Sequence, residues 1–345
     1  MKGLRKILTP FAPDQSGAVS VLYELGGIVA ICDAGGCTGN ICGFDEPRWH
    51  THRSAIFSAG LRDMDAILGR DDKLVAELVD AARKIEARFA AIVGTPVPSV
   101  IGTDYLALRR MTEKKVDLPV LTVDTTGMEL YDVGAEKAYL ALVHRFAREP
   151  QETVPGRIGV FGVNPLDLSD LRAGDRIRDL LPGALCFGMG SGLDDLVAAP
   201  SAEKNIVVAP SGLRAAQYLK EQFRIPYEVW DPLAESLLPE LDYAGKKILV
   251  IDQQVRANTM RKTLLNRGAS AVHCATWFLM DTTLTTPDDR RLREEDDFEA
   301  LVCAGDYDLL IGDPTLWRIV PNYSGDTVDL PQFPVSGKLG GDSRA

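Results

Sequence analysis

No run of about 18 apolar residues occurs anywhere in the chain, so no segment is expected to cross a membrane as a helix. The first residues are basic but reach Pro10 without a long apolar stretch, and so do not read as a signal peptide. Positive charge is also in short supply. Lysine and arginine number 38 against 49 aspartates and glutamates, giving a net charge of −11. A surface that acidic repels phosphate backbones, and nucleic-acid binding is not expected. Three catalytic signatures are missing: Gly-x-Ser-x-Gly, His-Glu-x-x-His, and the phosphate-binding Gly-x-x-x-x-Gly-Lys-Ser/Thr. The chain is therefore not expected to hydrolyse ATP itself. A cytoplasmic location is expected. Hydrophobic residues make up 46% and charged residues 25% of the 345 residues, which is globular composition and excludes disordered and collagen-like classes.

What is present is an alternation of short apolar runs and amphipathic stretches. Strands are expected at 27–32, 90–94, 120–124, 157–163, 184–187, 205–209, 227–230, 247–252, 271–277 and 308–311. These runs lack polar alternation, which is how strands buried on both faces of a parallel sheet read. Helical periodicity falls at 71–89, 135–148, 166–180, 211–223 and 255–267, with Ser211 as a helix N-cap and Gly268 as a helix stop. The alternation predicts an α/β protein of three Rossmann-like doubly wound domains with mostly parallel sheets. Polar, proline-bearing stretches at 149–156 and 238–247 place the boundaries. The expected division is 1–152 (carrying the Cys37 loop), 153–240, and 241–345 with a C-terminal tail. The tail after Asn322 shows no clear element.

Six cysteines are present, and three of them, Cys32, Cys37 and Cys42, crowd into one segment. An apolar strand ends near Cys32, and a glycine-dense loop then carries Cys37. Ligands bind beyond the carboxyl ends of strands in open α/β sheets, and glycines let the backbone approach what the cysteine holds. Thiolates are soft anionic donors suited to iron. The Cys-x4-Cys-x4-Cys spacing is not a ferredoxin spacing. Cys32 reads as a small core residue, Cys42 as either passive or a ligand, and Cys37 as the principal candidate.

The segment Ala34-Gly35-Gly36-Cys37 resembles the Gly-Pro-x-Gly-Cys loop of the nitrogenase component 1 family of oxidoreductases, with alanine at the first glycine and glycine at the proline. Further resemblances follow in order. Val100-Ile101-Gly102-Thr103-Asp104 is similar to the family's Ile-Gly-Asp-Asp segment. The 205–210 strand with Ile225-Pro226 resembles the second-domain strand and Gly-Ile-Pro, and Gly245-Lys246-Lys247 the opening of the third domain. The resemblance implies an iron–sulfur cluster, [4Fe-4S], at a subunit interface. It also implies a nitrogenase-iron-protein-like ATP-dependent reductase as electron donor, and a homodimer or a sister component 1 subunit as partner.

Departures from the family pattern shape the functional expectation. The family's first cluster cysteine falls near 11–14, where Asp14 is the one alternative ligand, as an aspartate is in a protochlorophyllide-reducing relative; the usual reading of Asp14 is a helix N-cap. The third falls near Pro96 and the cysteine of the nitrogenase active-site cofactor near Ala209 or Pro210; neither is present. Nitrogen reduction is thus not expected, and the resemblance points to the compact relatives that reduce tetrapyrroles or other unsaturated or sulfur-containing substrates. The site residues expected are Cys37, Cys42 and Asp14, with Cys37 and Cys42 as metal ligands, four ligands arising from two chains; no proton donor or other catalytic residue is identified. The rival expectations are a non-catalytic scaffold or binding protein for a metal cofactor or tetrapyrrole, and a partner subunit that completes a site in a heteromer. The Gly-rich 187–195 loop reads as a tight turn or an anion site, the His50/His52 segment as a solvated or interface loop or a metal site, and Arg48 as paired to Asp45 or Glu46.

Overall fold

A computed structural model describes residues 5–340. The readings of the first four and last five residues lie outside that range. The chain forms three sheets in sequence order, and every strand pair within them is parallel. The first sheet contains β1 (Gly27–Ile31), β2 (Ala55–Ser58), β3 (Phe89–Val93) and β4 (Val120–Val123), in the order β2-β1-β3-β4. The second contains β5 (Ile158–Phe161), β6 (Ala184–Cys186), β7 (Lys204–Val207) and β8 (Tyr227–Val229), in the same plan, β6-β5-β7-β8. The third contains β9 (Lys247–Ile251), β10 (Ala271–Thr276), β11 (Arg290–Arg291), β12 (Leu309–Gly312) and β13 (Asp326–Asp329), in the order β11-β10-β9-β12-β13. The expected α/β architecture of three doubly wound, parallel sheets is what the chain adopts.

Every position of β1 and β3 is buried, the mark of strands covered by helices on both faces. Helix Tyr131–Phe146 lies at the middle of the molecule. It packs across helix Asp14–Leu22 and against the 210–223 segment of the second sheet's layer. The crossing with the first helix is unusually close. A Cβ on Gly17 would stand 1.8 Å from the Tyr131 carbonyl oxygen, and one on Gly134 1.7 Å from that of Asp14. Among the described residues no helix is long and apolar enough to cross a membrane.

Several local expectations are corrected. The helix beginning at Asp71 ends at Lys84, and Phe89 belongs to β3; its spacing from Ile85 imitates a helical repeat. The 166–180 stretch is two helices, Pro165–Leu168 and Ala173–Leu180, separated at Ser169, which has φ +54°. Ser211 lies inside a 3-10 turn, Pro210–Gly212, and its hydroxyl donates to Asp167 instead of capping a helix. The tail contains β13 and helix Phe333–Ser336. Gly268 does follow the end of helix Gln254–Asn266, at φ +95°.

Candidate functional site

In each sheet the strand order reverses beside its first strand, and such a switch point opens a crevice beyond the strands' carboxyl ends. In the first sheet it lies between β1 and β3, and this is where the cysteine segment sits. Cys32 follows β1 with its side chain in the core, and burial pushes its thiol up to about 12. Thr95, which follows β3, donates from Oγ1 to the Cys32 carbonyl at 2.7 Å and so ties the two strand ends together. The chain then turns at Gly35, whose φ of +110° favours glycine. Helix Gly36–Asn40 follows and runs directly into one π turn, Ile41–Asp45. Cys37 is on the first of these and Cys42 on the second.

Two carboxylates hold this segment. Asp33 is 1% exposed and takes three donors: the Thr38 amide on Oδ2 at 2.8 Å, and on Oδ1 the hydroxyls of Thr38 at 3.0 Å and Ser58 at 2.6 Å. Asp45 accepts from Ser16 Oγ at 2.7 Å and Asn40 Nδ2 at 2.9 Å. Both cysteines are half-buried and free. Burial, and then the charge of Asp33, raise the Cys37 thiol above its ordinary value, against a hydrogen bond with Thr95. Burial, then Glu46 and Asp33, raise that of Cys42. Both thiols therefore hold their protons at neutral pH, and a soft cation binding there displaces them.

Asp14 is a different matter. It is fully buried as the first residue of its helix, with Pro13 at the cap position. Its Oδ1 accepts from the amides of Gly127 at 2.7 Å and Gln15 at 2.9 Å, and its Oδ2 from that of Thr126 at 2.8 Å. The carboxylate is committed to pinning the 126–127 loop, so the candidate ligands narrow to Cys37 and Cys42. Among the described residues no group of three or more Cys, His, Asp or Glu side chains converges to hold a metal. One chain therefore offers at most half of a four-ligand set. His50 and His52 are exposed, and His52 Nδ1 lies 3.1 Å from Thr51 Oγ1.

The same edge of the first sheet is apolar and uncovered. Phe44 is 75%, Met128 76% and Val100 81% exposed, although each sits on a loop or helix that follows a buried strand. Val97 and Ile101 add to this surface from helix Pro96–Ile101, which helix Asp63–Leu68 flanks with exposed Met64 and Leu68. Phe44 and Met128 also line a cleft of about 810 Å³ together with Phe11, Pro334 and Val335. Large exposed apolar areas rimmed by polar groups mark interaction surfaces.

Two further loops prove structural. Arg48 is 1% exposed and pairs with Glu46 at 2.7 Å and Glu24 at 2.9 Å; its NH1 also donates to the Gly188 carbonyl at 3.0 Å. The expected Glu46 pairing holds, whereas Glu24 and Gly188 are too distant in sequence to be anticipated. The 187–192 loop presents its carbonyls to cations, Gly188 to Arg48, and Met189 and Gly190 to Arg178. Its amides are taken up within the chain, Gly190 donating to Glu24 at 2.6 Å and Gly192 to Asp195 at 3.0 Å, so the loop is a structural turn. In the second sheet, Ala209 and Pro210 stand at the end of β7, and the switch point between β5 and β7 is filled by Asn164, Asp167 and Ser211. At the third, between β9 and β12, lie Asp252, Gln253 and Asp313, all buried.

Comparisons with known proteins agree with this geometry. A structure of nitrogenase Cp1 at pH 6.5 superposes with a TM-score of 0.73 at 13% identity, covering 99% of this chain and 89% of that one. A structure of nitrogenase Cp1 at pH 5 gives 0.71 at 14% identity, covering 96% and 85%. At such identities these establish the shared fold. No curated protein matches the chain in sequence. The family model for nitrogenase component 1 type oxidoreductases matches residues 16–234, well over half of the chain and spanning both the Cys37 loop and the second sheet. The chain belongs to the nitrogenase component 1 type oxidoreductase family.

Proposed function

We propose that this protein is a compact nitrogenase-like oxidoreductase subunit that contributes half of an interface iron–sulfur site through Cys37, assisted by Cys42. It receives electrons from an ATP-dependent iron–sulfur reductase and passes them to a substrate other than dinitrogen. The observation that carries this reading is the placement of Cys37. It lies at the switch point of the first sheet, on a loop tied at both ends, beside uncovered apolar surface. The donor set supports a shared site, since two thiols from each of two chains make the four ligands of a [4Fe-4S] cluster. A bound cluster supplies one-electron transfer; Asp33, Thr38 and Thr95 orient the loop that carries the cysteine. Nitrogen reduction is not part of the proposal, because the cofactor cysteine expected near Ala209 or Pro210 is absent and that crevice is filled by Asn164, Asp167 and Ser211.

The test is iron and acid-labile sulfide content with an electron paramagnetic resonance spectrum, on anaerobically purified wild type and Cys37→Ala. Light scattering gives the mass. A reducible centre with about four irons per dimer, lost in the variant, is the expected result. An iron-free, folded dimer after reconstitution overturns it. One observation favours a second reading, a scaffold or binding protein for a metal cofactor or tetrapyrrole. The chain lacks the family's cysteines near 11–14, 96 and 209–210, a loss that suits a carrier or binder as well as an enzyme. Iron that is bound but passes to a chelator without redox cycling is the outcome expected of that reading.

A further inference from the structure

The junction of the three sheets buries ionisable groups that an electron-transfer role does not use. Helix Pro165–Leu168 packs there against helices Asp14–Leu22, Tyr131–Phe146 and Phe333–Ser336, and so touches parts of the chain belonging to all three layers. It carries Asp167, 3% exposed. Asp167 Oδ2 accepts hydrogen bonds from Ser211 Oγ at 2.6 Å and from Asn164 Nδ2, while Oδ1 is buried without a hydrogen-bond partner. The Tyr131 hydroxyl lies beside this carboxyl.

Among the described residues no cation pairs with Asp167. The buried Arg256 guanidinium is committed to Asp231 at 2.7 Å and to the Leu168 carbonyl at 3.2 Å, and stands 3.9 Å from Asp252. The other titratable groups at the junction are Tyr139 and Asp132 on helix Tyr131–Phe146 and Asp252 after β9, all buried. Asp14 on the first helix faces residues 126 and 127, and helix Phe333–Ser336 brings no titratable side chain. A carboxylate in this position would be buried, unpaired, half-solvated by protein donors and close to other acids. Burial, the lack of a cation and the neighbouring acids favour the neutral acid, against the hydrogen bonds it accepts from Ser211 and Asn164.

We propose that Asp167 is a proton-operated latch: as the carboxylic acid, with its proton on the unpartnered Oδ1, it seats helix Pro165–Leu168 in the three-sheet junction, and loss of that proton loosens the joint to the third sheet. The route outward is short. Ser169 follows the helix directly; its Oγ accepts the Phe333 amide at 2.8 Å and its carbonyl the Gly340 amide at 2.7 Å. The Leu168 carbonyl holds Arg256 of the third sheet's layer. This inference does not depend on the cluster reading.

The electrostatics agree. Burial, helped by the charge of Asp132, pushes Asp167 up to about 7 against the lowering donors Ser211, Asn164 and Tyr131, and burial likewise holds Asp132 and Asp252 at about 6. The folded chain thus keeps a proton that the unfolded chain, with an ordinary carboxyl near 3.9, has released. This proton makes the folding equilibrium constant fall about tenfold per pH unit from about 4 to about 7, and leaves it level above.

The experiment uses the whole chain with carbon-13 aspartate. Infrared spectra report the carbonyl band of protonated aspartic acid from pH 5 to 9, and urea midpoints report stability. Asp167→Asn, near-isosteric and neutral, is expected to lose the component that titrates near pH 7 and to fall less steeply in stability with pH, by about tenfold per unit. Amide exchange at Phe333, corrected for intrinsic rate, is expected to quicken above pH 7 in wild type and not in the variant. Should Asp167→Asn fail to fold, Ser211→Ala serves: removing a donor that favours the ionised form moves the titration upward. An unchanged band, slope and exchange pattern in Asp167→Asn, or an unmoved midpoint in Ser211→Ala, overturns the latch.

Discussion

Asp33 gathers two hydroxyls and an amide onto one carboxylate at the end of β1, and Cys37 keeps its place because of it. Asp33→Asn replaces one acceptor oxygen by a donor and leaves buried groups unpaired, at a cost of about 1–3 kcal/mol. We expect a lower urea midpoint and faster alkylation of Cys37 in that variant, with Cys32, Cys186 and Cys274 remaining unreactive because they are buried. Because both candidate thiols are raised, metal binding must release protons, so iron uptake is expected to be stronger at pH 8.5 than at pH 6.5 in a chelator competition. Arg48→Met removes the cation between Glu24 and Glu46 and is expected to destabilise by about 3–5 kcal/mol in chemical denaturation. At this scale the sequence was only partly readable. Glycine density marked the Cys37 loop, but nothing local marked Asp33. Its partner Ser58 is 25 positions away, and Asp167 reaches Ser211 across 44. Asn164-Pro165-Leu166-Asp167 reads as an ordinary helix start, and its role at the junction is visible only once three layers meet.

Elements were readable where burial is two-sided. β1, β3 and β9 are apolar runs, and the periodicity argument finds them. β2, β11 and β13 were missed because they are short or polar edge strands, whereas the edge strands β4, β6 and β8 keep enough apolar residues to be read. The helix overrun into Phe89 shows the converse error, in which an apolar residue at helical spacing belongs to the next strand. Neither error touches the crossing of helices Asp14–Leu22 and Tyr131–Phe146, where backbone meets backbone at Gly17 and Gly134. A methyl group at Gly134 collides with the Asp14 carbonyl, which is backbone and cannot swing aside. Gly134→Ala is therefore expected to lower stability by about 1–3 kcal/mol or more, measured as a drop in Tm.

At the scale of the molecule, the uncovered apolar edge is the surface on which the proposed dimer would form. Val100→Asp and Met128→Glu place charge on that surface without disturbing packed side chains, and light scattering is expected to show the proposed dimer dissociating in either variant. The three-sheet plan followed from strand–helix alternation, whereas the way the sheets are joined did not. Part of that joining is done by residues 6–12. The amides of Lys6, Ile7 and Leu8 all donate to the carboxylate of Glu295, Phe11 stacks edge-on against Trp277 at 5.7 Å, and the Ala12 amide donates to the Pro334 carbonyl. Vectorial synthesis meets a constraint here. Residues 6–12 are made well before Trp277, Glu295 and Pro334, on which they are seated, so this seam closes only after those later residues have left the ribosome.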